Sequence, residues 1–194
     1  LHSALQLGLP AGHLMVDLQR AFPSLLQSFQ LLMMELLDIP HWFQLILIKG
    51  FFRVSHRLDA FGGSAELSIM RVGLTQGNPL SAYWFILCAN LLLWLVSQVL
   101  VKGECIRAFA DDVIIWLRHV RRICLVMPCF DLFGRLSGCW MNIPKSCWLT
   151  ALPAPAADLH WWLSAPSSRH SHYSMLPMRT QALYLGVILG AFVR

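Results

Sequence analysis

The stretch Cys105-Ile106-Arg107-Ala108-Phe109-Ala110-Asp111-Asp112-Val113-Ile114-Ile115-Trp116-Leu117 decides the fold. Two short β-favouring runs, 106–110 and 113–117, flank the adjacent carboxylates Asp111 and Asp112. Such runs joined through a tight acidic bend predict a β-hairpin. The acids are the chemical anomaly, because burying one ionised carboxylate is costly and a like charge beside it adds repulsion. Two placements are open: a hairpin tip with both acids in water, or a divalent-metal site whose ion offsets the repulsion. Neighbouring strand residues point to opposite faces, so one acid is expected as the principal ligand and the other as a weaker or bridging one.

Outward from the hairpin, residues 11–18 read as a short strand ending near Asp17, the third carboxylate that a metal would need. Its other reading is an acid leading into the following helix. Residues 24–37 place Leu25, Leu26, Phe29, Leu32, Met33 and Leu36 at helical spacing and stop at Asp38-Ile39-Pro40. Residues 41–49 repeat the pattern with Trp42, Leu45, Ile46 and Ile48. Residues 53–58 and 65–72 flank a glycine turn and predict two strands. The polar turn Thr75-Gln76-Gly77-Asn78-Pro79 introduces a long apolar helix over 80–99. A further helix over 120–136 ends at Ser137-Gly138. Residues 150–177, rich in Ala, Pro, Ser and His, read as irregular loop, and 182–192 as a closing strand. The expected class is α+β: one domain over 1–194, with helices on one face of an antiparallel sheet.

Composition narrows the function classes. The chain of 194 residues is 57% apolar and 13% charged, which excludes a disordered chain. A net charge of +5, almost all of it arginine, suits a polyanionic partner without specifying one. Arg118, Arg121 and Arg122 form the densest basic cluster, readable as a solvated helix face or as phosphate contacts. The six cysteines have no zinc-like spacing and read as reduced, structural thiols of an intracellular protein. His170 and His172 suggest no ligand set. No charge falls between Arg71 and Lys102, so hydropathy alone leaves a membrane span and a buried core helix both open. The chain begins with Leu and has no signal-peptide pattern, and it reads as a fragment.

Five segments in order resemble the reverse transcriptase domain of non-LTR (LINE-type) retrotransposons. Val16-Asp17-Leu18-Gln19-Arg20-Ala21-Phe22 is similar to the first palm motif, and Gly73-Leu74-Thr75-Gln76-Gly77-Asn78-Pro79-Leu80-Ser81 to the Gln-Gly-Asp-Pro-Leu-Ser motif. Phe109-Ala110-Asp111-Asp112 is similar to the Ala-Asp-Asp box. Ser137-Gly138-Cys139-Trp140-Met141-Asn142 with Lys145-Ser146, and Tyr184-Leu185-Gly186-Val187-Ile188-Leu189-Gly190, resemble the last two motifs. The sequence departs from the family at Arg20, where lysine is usual, and at Pro23 and Asn78, where acids are usual.

The resemblance implies a polymerase palm with fingers and thumb largely missing, those parts lying before Leu1 and after Arg194. It implies RNA-directed DNA polymerisation with two Mg²⁺ ions, acting on an RNA template, a DNA primer and dNTPs. Asp17 and Asp111 would be the main metal ligands, Asp112 the secondary one, and the Leu18 carbonyl a contributor. Phe22 would be the steric gate against a ribose 2′ hydroxyl, with Gln76 and Gly77 lying along template and nucleotide. Lys145 would protonate pyrophosphate, and Leu185 and Gly186 would form the primer grip. The apolar stretch falls at the family's palm helix, so no membrane partner is expected, and the parent would reside in a nuclear or cytoplasmic ribonucleoprotein. The alternative is a catalytically inactive relic, or a domesticated palm serving as a nucleic-acid or protein scaffold.

Overall fold

Alternation along the first strand, β1 (Gly12–Asp17), organises the protein in the computed structural model, which describes residues 11–52, 55–60, 63–69, 72–75, 77–150, 176–179, 181–184 and 187–190. β1 is the centre of a sheet. It pairs antiparallel with β5 (Asp112–Leu117) on one side and β6 (Cys147–Thr150) on the other. β4 (Cys105–Phe109) closes the hairpin onto β5. The order is β4-β5-β1-β6, four antiparallel strands, with the short β7 (Met178–Arg179) added parallel to β6. Two hairpins stand apart from this sheet: β2 (Ser55–Ala60) with β3 (Gly63–Ile69), and β8 (Gln181–Tyr184) with β9 (Val187–Gly190). β8 lies against β6.

Helices cover one face of the sheet. Leu14 and Val16 of β1, Val113, Ile115 and Leu117 of β5, and Trp148 of β6 share one core with all five helices. These are α1 (Ala21–Ser24), α2 (Gln27–Leu36), α3 (His41–Phe51), α4 (Pro79–Ser97) and α5 (Ile123–Ser137). The residues between them point the other way, where Met15, Cys147 and Leu149 form a small second cluster with Ile114. The α+β class and the antiparallel sheet agree with the sequence expectation.

Several elements differ from it. The buried stripe of α2 is Phe29, Gln30, Met33 and Met34, while Leu32 and Leu36 face outward. α3 buries Leu47 and Phe51 and exposes Trp42, Leu45 and Ile46. Both helices are apolar around much of their circumference, so spacing alone gives no phase and tertiary partners set it. The closing strand expected over 182–192 is instead the hairpin β8–β9; Gly186 is the sequence punctuation for such a reversal, and residues 185 and 186 lie outside the described residues. Most of the loop expected over 150–177, with His170 and His172, also lies outside them.

The long apolar helix α4 is long and apolar enough to cross a membrane by length and composition. Here Trp84, Phe85, Cys88, Leu92 and Val96 are buried in the core shared with α2 and α5. Cys88, Cys129, Cys139 and Cys147 are buried. Burial pushes Cys139 up to about 11 and Cys88 beyond it, so both stay protonated and behave as small apolar groups.

One polar clasp joins the end of α4, the end of β5 and the start of α5. The fully buried Glu104 carboxylate accepts from the backbone N–H of Val101 and of Arg118 at 3.1 Å each, and pairs with Arg122 Nε at 2.7 Å. Arg122 also donates to the Val99 carbonyl. Arg122 is thus engaged in the fold, which removes it from the basic cluster as a phosphate contact. Glu104→Ala strands two backbone donors and a guanidinium, and we expect a loss of about 3 kcal/mol in chemical denaturation. A loss below a few tenths would show that water replaces the carboxylate freely.

Candidate active site

The register of three strands collects the acids. Asp17 at the end of β1 stands directly opposite Asp112 at the start of β5, and Asp112 in turn opposes Phe109 of β4. Directly opposed residues share a face, so Asp17 and Asp112 lie with Met15 and Ile114 on the face away from the helices. Asp111 occupies the two-residue turn with Ala110, and its carbonyl accepts from Leu18 N at 3.3 Å. Ala110 has φ 54, the left-handed value that such a hairpin turn demands and that glycine usually supplies. A non-glycine residue held there stores of order 1 kcal/mol of strain next to two carboxylates.

Asp17 is fixed from a distant part of the chain. Asn142 Nδ2 donates to Asp17 Oδ2 at 2.8 Å, and Asn142 N donates to the Asp17 carbonyl at 2.8 Å. The Asp17 N–H donates to Ser146 Oγ at 3.1 Å, and that hydroxyl donates to the Asn142 carbonyl at 2.8 Å. Lys145 sits between these two residues in an exposed turn, its N–H bonded to the Asn142 carbonyl at 3.1 Å. The sequence reading singled out Lys145. Asn142 and Ser146 orient Asp17, and their spacing within the Ser137–Ser146 motif was the signal that could have found them.

Electrostatics marks the same place. Burial first, then the charges of Asp111 and Asp17, hold the Asp112 carboxyl above its ordinary value. Asp112 therefore feels both of the other acids. The three are neighbours rather than a preformed cage: among the described residues, no three His, Cys, Asp or Glu side chains gather as an ion-holding group. Their chemistry nonetheless fits a hard divalent cation, because all donors are oxygen and their repulsion is what such an ion relieves.

A pH dependence follows. A carboxyl whose folded value is raised binds its proton more tightly when folded than when unfolded. Its contribution is most favourable at low pH and is lost as pH rises from the ordinary aspartate value through the raised one. In chelator, Asp112→Asn is expected to flatten that part of the stability profile and to raise Tm at neutral pH. Thermal unfolding from pH 3 to pH 8 checks it, and a lower neutral Tm in the variant would contradict it.

A second group of candidates lies on the helix side. Phe22 of α1 stacks on Phe85 of α4, with ring centroids 4.8 Å apart. The loop that leads into α4 is bonded to the same segment: Leu74 N donates to the Phe22 carbonyl at 2.9 Å and Gly73 N to the Leu25 carbonyl at 2.7 Å. Ser81 Oγ donates to the Thr75 carbonyl at 2.6 Å, and Thr75 Oγ1 is buried without a partner. Gly77 is exposed with φ 87, and a side chain there would meet no atom within 4 Å. Neither protein-family models nor curated proteins give a match to this chain. What the site can do is therefore read from its own geometry and charge.

Asn78 and Pro23, two positions that depart from the motifs the sequence resembles, have local roles in the fold. Asn78 caps α4, its Oδ1 accepting from Leu80 N at 3.0 Å, a task at which Asn and Asp are equivalent. Pro23 is pressed under the loop, its carbonyl only 2.6 Å from where a Gly73 Cβ would stand. Gln76, Leu185 and Gly186 lie outside the described residues.

Proposed function

We propose that the chain is the palm core of an RNA-directed DNA polymerase of the non-LTR retrotransposon kind, which joins a deoxynucleotide to a primer 3′ hydroxyl on an RNA template. The observation that carries this reading is the register that opposes Asp17 to Asp112, with Asp111 in the turn bonded back to Leu18. Asp17, Asp111 and Asp112, with the Leu18 carbonyl, would hold Mg²⁺. The bound ions would activate the primer hydroxyl and steady the leaving pyrophosphate.

The chain's own groups do the rest. Asn142 and Ser146 keep Asp17 turned to one orientation, so little reorganisation is needed when substrate arrives. Phe22, partly buried and stacked on Phe85, is the aromatic ring that this reading would use to crowd a 2′ hydroxyl. Gly77 leaves open space for a base pair or triphosphate to approach the backbone. Lys145, exposed in the turn that follows Asn142, carries an ammonium suited to giving a proton to pyrophosphate.

A second reading, a catalytically silent palm used as a scaffold, is favoured by the carboxylates' not being gathered as a ligand cage among the described residues. RNA-templated primer extension with Mg²⁺, run with the full-length chain, separates the two. Extension that requires Mg²⁺ supports the polymerase. Its absence, together with no Mg²⁺-induced rise in Tm, supports the scaffold.

A further inference from the structure

Gln30 is a polar side chain with no exposure at all, on the buried stripe of α2. All of its principal bonding capacity is used. Nε2 donates to the Leu25 carbonyl at 3.2 Å and to the Gly73 carbonyl at 3.4 Å, while Oε1 accepts from Trp84 Nε1 at 3.1 Å. These partners belong to three segments: the turn that carries Phe22, the loop 73–77, and the first turns of α4. An apolar side chain of the same size would fill the volume equally well, so packing does not explain an amide here. A buried polar group does what apolar packing cannot, which is to fix one register among several of similar energy.

We propose that Gln30 is a positioning residue of the nucleotide site, setting the spacing between Phe22 and the segment 73–75 and through it the preference for deoxynucleotides. This rests on the polymerase reading above. The loop hangs from the Phe22 segment by two backbone bonds, Leu74 N to the Phe22 carbonyl and Gly73 N to the Leu25 carbonyl. Gln30 ties the far side of Gly73 to the same Leu25 carbonyl and to the floor of the site through Trp84. Phe22 itself leans on Phe85, the neighbour of Trp84 in α4. A gate discriminates by sub-ångström crowding, so any slack between gate and loop relaxes the choice of sugar before it abolishes turnover.

The test compares kcat/KM for a dNTP and the matching rNTP in Mg²⁺-dependent primer extension, well below Tm, using the full-length chain. Gln30→Met removes all three side-chain bonds, including the one to the Gly73 carbonyl, while the two backbone bonds stay; its dNTP preference is expected to fall about tenfold, mainly through a lower KM for the rNTP. Trp84→Phe removes only the donor to Oε1 and leaves the two bonds to Leu25 and Gly73. It is expected to lower Tm while keeping the preference within about twofold of the parent. Preference that falls in step with Tm in both variants would reduce Gln30 to an ordinary stability determinant and overturn the proposal. Parent extension with an unchanged preference in Gln30→Met overturns it as well, leaving the polymerase reading intact. A parent chain that extends no primer removes both.

Discussion

On the polymerase reading proposed above, Asp17→Asn and Asp111→Ala are each expected to slow RNA-templated primer extension about a thousandfold at saturating Mg²⁺, equivalent to about 4 kcal/mol in the barrier. Asp17→Asn is the cleaner of the two. The new amide is isosteric and its oxygen can still accept from Asn142 Nδ2, while the backbone bonds to Asn142 and Ser146 are untouched. The fold should therefore survive with near-parental Tm, so lost activity reports lost charge. Asp111 sits in the turn and contributes its carbonyl to Leu18, a bond that alanine retains. Asp112→Ala is expected to slow extension less, about tenfold. The strand register opposes Asp17 to Asp112 rather than to Asp111, so the two alanine variants also rank the acids directly. Extension that survives Asp111→Ala sinks the metal assignment.

The second large effect concerns stability. Segment 22–26 is held between two glycines in left-handed conformation, Gly73 with φ 87 and Gly138 with φ 81. A Cβ at Gly73 would stand 2.6 Å from the Pro23 carbonyl oxygen, and one at Gly138 2.5 Å from the Ser24 carbonyl oxygen. These obstacles are backbone, which cannot rotate aside. Backbone bonds close the same clamp: Gly73 N to the Leu25 carbonyl and Leu26 N to the Ser137 carbonyl, both at 2.7 Å. Gly73→Ala and Gly138→Ala are each expected to cost about 3 kcal/mol, combining positive-φ strain with overpacking. That corresponds to a fall in Tm of about 10 °C for a chain of this size. Gly103 is the control. Its φ is 90, yet a Cβ there meets nothing nearer than 3.9 Å, so Gly103→Ala should show the strain alone, about 1 kcal/mol. Equal losses at all three positions would mean that contact with segment 22–26 contributes nothing.

Much of the sheet was legible because β1 and β5 alternate, with one face against the helices and the other around the acids. β6 was not. Cys147, Trp148 and Leu149 are all buried, so the strand has no polar phase, and a run of four residues carries no periodicity to detect. The acids, Phe22 and Lys145 stand out in the sequence by their order and motif spacing. Asn142 and Ser146 lie in one of the same motifs, but their bonds to Asp17 join residues more than a hundred positions apart, so the motif marks the residues and not the contact. Gln30 was hidden for a related reason. In sequence it is one polar residue in an apolar helix, and its partners Leu25, Gly73 and Trp84, two of them distant in the chain, are what give it a reason to face inward.

The pleat of β1 also determines where the chain can change length. Even-numbered residues fill the core while odd-numbered ones share a face with the acids, so both demands are locked to one parity. Inserting or deleting a single residue between Gly12 and Asp17 would swap the two sets, sending Asp17 under the helices and Leu18 to the acidic face. No partial damage is available there; core and chemistry fail together. Changes of length between β2 and β3 carry no such coupling, because among the described residues that hairpin pairs only with itself. Descendants of this chain that keep the function should therefore vary in that hairpin and hold the first strand to an invariant count.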